Sequence, residues 1–315
     1  MSRVLVTGGA GFIGSHLVDE LIKAGNQVVV YDNLSSGKLE FLESAISTGN
    51  LEFVNGDLLN LKSLNDAMKN IDIVYHLAAN PDIRLGTSVT DTDLKQGTVA
   101  TYNVLESMRL NECKNIAFSS SSVVYGEAKI MPTPEDYGPL FPISLYGASK
   151  LGSEGLISAW VGTFGIKAWI FRFANIIGTR GTHGVIFDFI HKLKKDPSRL
   201  EVLGNGLQEK SYMEVIDCSR AMIHVVDNFN NDLNYVNLGS SDTCSVSRIA
   251  EIVIESTGLS NVNIEFTGGD RGWAGDVPKA MLDVNKLTES GFSCTFQSDD
   301  AVMHTAKSLI EEIGL

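Results

Sequence analysis

The sequence predicts an α/β fold: a parallel sheet wound on both faces by helices, followed by a smaller C-terminal α/β lobe. Three observations predict it. A glycine-punctuated turn joins the first apolar run, Val4–Val6, to an amphipathic helical stretch. Short β-branched runs then alternate with helical patterns as far as Ile177, the alternation that builds a doubly wound parallel sheet. The glycine-rich stretch from Gly178 to Gly184 then breaks the alternation, which marks the start of a second lobe.

Composition narrows the class. With 43% apolar and 20% charged residues, 315 residues suffice for a large core, which excludes wholesale disorder. A net charge of −13 argues against nonspecific binding to nucleic acid or anionic membranes, since both need basic patches. Four scattered cysteines (Cys113, Cys218, Cys244, Cys294) form no Cys-x-x-Cys pair, and a reduced compartment is the simpler reading. A strand that begins by Val4 leaves no room for a signal peptide, and no apolar run reaches membrane-spanning length, so a cytoplasmic protein is expected. The six histidines show no metal-ligand spacing, and no metal is expected.

The first strand ends in three glycines, Gly8, Gly11 and Gly14. Gly8 permits a tight turn, Gly11 lets the backbone approach a pyrophosphate, and Gly14 lets the helix lie close on the strand. Phe12 and Ile13 open that helix, which carries Leu17 and Leu21 and stops at Gly25. Its N-terminal amides and partial positive charge suit an anion. A turn that binds nothing is the plainer alternative; the strand before and the helix after favour a dinucleotide.

The second strand, Gln27–Tyr31, ends at Asp32, at the spacing from the glycines where a carboxylate hydrogen-bonds a ribose diol and repels a 2′-phosphate. That favours NAD over NADP. A turn role within Asp32-Asn33-Leu34-Ser35-Ser36-Gly37 is the alternative. Strands follow at Leu51–Asn55, ending in Gly56-Asp57-Leu58, and at Ile71–Leu77, ending in Ala78-Ala79-Asn80; helices fit Leu61–Lys69 and Leu94–Asn111. Ligands of such sheets collect at the carboxyl ends of strands, where Asp32, Asp57 and Ala78–Asn80 fall.

A fifth strand, Asn115–Ser119, runs into the serine cluster Ser119–Ser122 and on to Tyr125-Gly126. Further on, Tyr146-Gly-Ala-Ser-Lys150 opens an apolar helix. Tyrosine and lysine four residues apart share one helix face. An ammonium beside a phenol stabilises the phenolate, which would make Tyr146 a usable base near neutral pH. Alone this pair is a weak signal; joined to the glycine turn, Asp32 and the serines it is a strong one.

At these residues the chain resembles the extended short-chain dehydrogenase/reductase superfamily, in its nucleotide-sugar epimerase branch. The matching motifs are Thr7-Gly-Gly-Ala-Gly-Phe-Ile-Gly14, Tyr31-Asp-Asn-Leu-Ser35, Gly56-Asp-Leu58, His76-Leu77-Ala78-Ala79, the serine cluster, Tyr146–Lys150 and Arg172-Phe173-Ala174-Asn175. The resemblance implies a Rossmann-type domain over 1–177, with 213–240 returning to it, and a substrate lobe over 178–212 and 241–315. It implies NAD held by Gly8, Gly11–Gly14, Asp32, Asn33, Ser36, Gly37, Asp57, Leu58, Leu77–Ala79, Ser119, Tyr146, Lys150 and Phe173. It places the catalytic set at Tyr146, Lys150 and Ser121, a UDP-sugar against Ser121, Tyr146, Asn175, Val185, Lys210, Arg271 and Asp276, and the chain in a homodimer.

Within this branch, 4,6-dehydratases and uronate decarboxylases resemble one another in carrying a carboxylate just after the catalytic serine position. Here Ser122 and Val123 stand instead, so elimination lacks its acid and base, and oxidation followed by reduction remains: inversion at the 4-position of a UDP-hexose. The implied roles are a phenolate Tyr146 taking the 4-hydroxyl proton, Ser121 relaying it, and Lys150 gripping the nicotinamide ribose. Several positions depart from the pattern. Lys210 replaces an arginine, a point charge in place of a bidentate fork. Ser211 replaces an aspartate, Gly97 an asparagine, and Asn80 a lysine near the cofactor phosphates. Ala280 aligns with a position where tyrosine restricts some epimerases, so 2-acetamido sugars are expected to fit. The alternatives are a UDP-glucuronate 4-epimerase, with Arg84 or Arg180 toward the carboxylate, another nucleotide-sugar oxidoreductase, or an inactive NAD-binding protein.

Overall fold

Described here are residues 1–272 and 277–314 of a computed structural model. Seven strands form the central sheet: β1 (Arg3–Thr7), β2 (Gln27–Asp32), β3 (Leu51–Asn55), β4 (Ile73–His76), β5 (Asn115–Ser121), β6 (Lys167–Phe173) and β7 (Leu233–Leu238). Their spatial order is β7-β6-β5-β4-β1-β2-β3, a parallel sheet whose strand order reverses between β1 and β4. Thr7 pairs in register with Tyr31 on one side and His76 on the other, so the carboxyl ends of β1, β2 and β4 meet at that reversal. Such a switch point is where a doubly wound sheet opens a crevice for a ligand.

The strands read as near-continuous apolar runs because both faces are covered. Leu5, Val29, Val74, Ile116 and Phe118 pack against Leu64 of α2 (Leu61–Ala67), Val104, Leu105 and Met108 of α3 (Ala100–Leu110) and Ile157 of α4 (Leu145–Phe164). Helix α1 (Phe12–Lys23) buries Leu17, Val18 and Leu21. The stretch expected as one helix over 94–111 instead begins with a π-helical turn, Leu94–Val99, before α3. The cause is a tertiary contact: a Cβ on Gly97 would lie 1.9 Å from Ser149 Oγ of α4, so the wide turn and the missing side chain make room for that hydroxyl.

The chain divides into two compact units. The first holds 1–126, 138–172 and 219–236; the second holds 127–137, 173–218 and the residues from 237 onward. The second unit has its own core, built by Ile186, Phe189 and Ile190 of α5 (Val185–Lys195), Ile249, Ile252 and Val253 of α7 (Val246–Thr257), and Val302, Ala306 and Leu309 of α8 (Ser298–Ile313). Helix α6 (Val215–Asn228) precedes β7 in the chain. Asn175–Ile177 pairs with Tyr212–Glu214, and Glu209–Lys210 lies between Cys244–Ser245 and Lys279–Ala280 in a three-stranded sheet. All four cysteines are free thiols.

Candidate active site

The turn after β1 is built around close backbone approaches. Gly8 has φ +69°, and a Cβ there would meet the Ala78 backbone at 2.8 Å; a Cβ on Gly14 would sit 2.1 Å from the Gly8 carbonyl oxygen. Gly8 is therefore glycine for reasons of space and conformation, and Gly14 for reasons of space. Helix α1 starts at Gly11, which supplies no capping side chain, and its first turn carries no acidic residue. Its N-terminal dipole is thus left for an external anion.

Asp32 is buried, and its two oxygens accept the Ala10 amide at 3.0 Å and the Leu34 amide at 2.8 Å. Burial raises its carboxyl pKa while these two amides oppose the rise. Asn33 donates to Asp57 Oδ2 at 3.1 Å, and the Lys38 amide donates to the Ala10 carbonyl at 2.9 Å. The loop through Ser36 and Gly37 is thereby folded back on the glycine turn. The Leu58 carbonyl is held by Asn103 Nδ2 at 2.8 Å. The Leu77 amide donates to the Thr7 carbonyl at 3.1 Å and the Ala78 amide to Thr7 Oγ1 at 3.4 Å, so Leu77–Ala79 leaves β4 beside the glycines. These features fit the NAD-binding residues read from the sequence: a helix start without a carboxylate, a fixed acidic acceptor, and a loop packed against both.

Behind the loop lies a buried chain of hydrogen bonds. His76 Nδ1 is 2.7 Å from Thr7 Oγ1, and its Nε2 is 3.1 Å from Thr101 Oγ1, whose hydroxyl donates to the Gly97 carbonyl. The arrangement is satisfied with Nε2 protonated and Nδ1 accepting from Thr7, a tautomer inferred from the partners. Burial and the Lys150 charge hold the imidazole down to about 3, so it is neutral at physiological pH.

Helix α4 delivers the tyrosine and lysine. Ser144 caps it by accepting the Gly147 amide at 3.0 Å, which sets Tyr146 in the first turn, and Gly165 closes it in the left-handed conformation. Lys150 is 3% exposed. Its ammonium donates to the Ser119 carbonyl at 2.5 Å and lies 3.4 Å from Ser119 Oγ, while it stands 4.8 Å from the Phe118 ring centre and 5.6 Å from that of Tyr146. Ser119, Lys150 and Tyr146 are thus brought together at the end of β5. Ser121 follows two residues on, half-buried, with Oγ accepting the Val123 amide at 3.4 Å.

The electrostatics differ from the sequence argument. Burial pushes the Tyr146 phenol above its ordinary value, and the Asp93 carboxylate adds to the rise. Burial brings Lys150 down to about 7, against the opposing pull of Glu154 and Asp93. The ammonium is turned to Ser119, so desolvation decides the sign at Tyr146.

Sequence reasoning missed Glu154, one further turn along α4. It is buried, accepts Ser120 Oγ at 2.5 Å, and pairs with both Nε (3.1 Å) and Nη2 (2.7 Å) of Arg172 on β6. The signal was the spacing: Tyr146, Lys150 and Glu154 share one face at four-residue steps.

The second unit carries the remaining expected residues. Phe173 is buried. Asn175 turns both its amide and its side-chain Nδ2 to the Ser211 carbonyl, each at 3.2 Å. Ser211 is buried and bonded to Ser240, which accounts for a hydroxyl at that place. Val185 begins α5, and half-buried Lys210 pairs in register with Ala280. Arg271 is exposed and ion-paired with Glu127. Asp276 lies outside the described residues. Among the described residues, no cluster of three or more histidine, cysteine or acidic side chains could hold a metal ion.

The same fold recurs in known proteins. The model of the "NAD dependent epimerase/dehydratase family" matches residues 4–239. A putative UDP-glucose 4-epimerase of Methanocaldococcus jannaschii is 34% identical over 298 residues, 92% of each chain. A UDP-N-acetyl-α-D-glucosaminuronate decarboxylase of Bacillus cytotoxicus is 32% identical over 91% of each. Among solved structures, a UDP-galactose 4-epimerase is 40% identical with a TM-score of 0.89 over 99% of each chain. A UDP-glucuronic acid 4-epimerase of Bacillus cereus, solved with NAD and a fluorinated UDP-glucuronic acid, is 26% identical with a TM-score of 0.89 over 98% of this chain and 99% of that one.

Proposed function

We propose that this chain, which belongs to the NAD-dependent epimerase/dehydratase family, inverts the 4-position of a UDP-hexose through a 4-keto sugar. One observation carries the choice of reaction. Tyr146, Lys150 and a serine at 121 are all present, while Ser122 and Val123 occupy the two positions after it and supply no carboxylate. Elimination and decarboxylation both need an added acid or base; oxidation followed by reduction does not. The family's cofactor NAD supplies the hydride acceptor and donor.

The chain's own residues do the rest. Tyr146 takes the proton of the 4-hydroxyl and later returns it to the opposite epimer. Ser121 hydrogen-bonds the reacting oxygen. Lys150, fixed on the Ser119 carbonyl, holds the cofactor's ribose. We assign recognition of the UDP moiety and sugar to Asn175, Val185, Lys210, Arg271 and Asp276. Ala280 leaves the space for a 2-acetamido group. We further infer a cytoplasmic homodimer, supported by the free thiols and the family pattern.

The test is incubation of the purified chain with UDP-glucose, UDP-N-acetylglucosamine and UDP-glucuronate in turn, without added NAD. Formation of the 4-epimer of UDP-glucose and of its N-acetyl form is expected. A chain that epimerises UDP-glucose and leaves UDP-N-acetylglucosamine untouched removes the assignment of Ala280. A chain that loses carbon dioxide from UDP-glucuronate overturns the proposed reaction.

A further inference from the structure

The Glu154–Arg172 pair is a buried ion pair that the reaction as written does not use. Each residue is 7% exposed, and they join through two hydrogen bonds, Nε to Oε1 at 3.1 Å and Nη2 to Oε2 at 2.7 Å. Burying two charges is seldom a gain in stability over apolar side chains of the same volume, so the pair calls for another explanation. Its surroundings supply one. Glu154 Oε1 also accepts the hydroxyl of Ser120, which is 2% exposed and stands between Ser119 and Ser121. Arg172 Nη1 donates to the hydroxyl of buried Tyr125 at 3.0 Å, and its guanidinium stacks 4.8 Å from that ring. Ser121 and the turn Ser122–Tyr125 are therefore clamped at both ends, by Ser120 to α4 and by Tyr125 to β6.

From this geometry we infer that Glu154 and Arg172 are positioning residues, which hold Ser121 at the distance from α4 that the reaction requires and set a carboxylate one turn from Lys150. The inference rests on the epimerase reading for its kinetic arm only. Five groups bear on the Lys150 ammonium: Tyr146 one turn before it on α4, Glu154 one turn after it, Asp93 at the start of the π-turn, His76 on β4, and Arg172 through its pair with Glu154. His76 is neutral, and Arg172 is neutralised by its partner. Glu154 and Asp93 are left as the charges that favour the protonated amine, with Glu154 the stronger of the two. Removing the Glu154 charge must then let Lys150 lose its proton at lower pH.

Three chains test this: wild type, Glu154→Gln, and the double variant Glu154→Gln/Arg172→Met. The double variant buries no unpaired charge and serves if the single one fails to fold. Two readouts are needed. The first is the titration of Lys150 followed by NMR of ¹³Cε-labelled lysine and assigned with Lys150→Met. The second is the pH profile of kcat and kcat/KM on whichever UDP-sugar the wild type epimerises. Expected are a Lys150 midpoint lowered by about one pH unit in a folded variant, a parallel shift of the alkaline limb to lower pH, and kcat reduced tenfold or more at unchanged KM. A folded variant with the wild-type midpoint and kcat within twofold overturns the inference. If the wild type turns over none of the three UDP-sugars, the epimerase reading fails, and the Lys150 midpoint alone decides the role of Glu154.

Discussion

The two influences on Tyr146 in the protein alone, burial and the Asp93 carboxylate, both favour the protonated phenol. Burial and Asp93 raise its pKa, while Lys150 is turned to the Ser119 carbonyl. A base that stays protonated until a cation is bound beside it does not react prematurely. Replacing Tyr146 by Phe is expected to reduce kcat on the order of 10³-fold, within the usual range for a general base, with NAD content unchanged. Turnover at the wild-type rate would remove the assignment. His76 offers a second prediction. Its folded pKa, about 3, lies below the ordinary 6.5, so from pH 6.5 downward the unfolded chain takes up a proton that the folded chain refuses. Stability must then fall as pH drops through that window, by on the order of 3 kcal/mol at pH 4 from this group. Unfolding of His76→Gln in urea should show a flatter dependence between pH 7 and 4; an equal slope would contradict the neutral buried imidazole. Asp32, Tyr146 and Lys150 were legible because each stands at a fixed spacing from a turn or on a helix face. Glu154 was not, because a glutamate one turn past a lysine reads equally well as a solvated helix face.

At the scale of elements, the glycine turn and the alternating strands were plain in the sequence, since apolar runs bounded by turn residues signal buried parallel strands. The π-turn was hidden. Leu94–Asn111 keeps a helical apolar period, and nothing local announces that Ser149, 52 positions along from Gly97, needs the space of a side chain. The Ser149 hydroxyl donates to the Asp93 carbonyl at 2.7 Å, and Thr98 Oγ1 donates to the Ser149 carbonyl at 3.3 Å, so the turn fixes α4 between its tyrosine and its lysine. Gly97→Ala should therefore destabilise the chain by about 1–3 kcal/mol through overpacking, although alanine is the better helix former. Adding Ser149→Ala should recover part of that loss. Strictly additive effects in denaturant unfolding of the two single variants and the double would show that the two positions do not compete for space.

For the molecule as a whole, the family resemblance assigned 178–212 and 241–315 to a second lobe, and nothing local pointed to 127–137. Residues 127–137 cluster with the second unit, joined there by a bridge between Thr133 and Leu282 that no local pattern reveals. Asn237 fastens these distant segments: its Nδ2 donates to the carbonyls of Thr133 and Asp283, both at 3.0 Å, and its amide donates to Glu135. Asn237→Leu leaves two carbonyls without that donor and should lower stability by about 1–3 kcal/mol in urea unfolding. An unchanged midpoint would show that the segments are held otherwise. The proposed reaction depends on a hydride that leaves the sugar's fourth carbon and comes back to it. The most direct test is epimerisation of UDP-glucose deuterated at that carbon, with the product read by mass spectrometry and NMR. Full retention of deuterium at the fourth carbon, with none gained by unlabelled substrate in D₂O, is predicted; exchange with solvent at that carbon would contradict it.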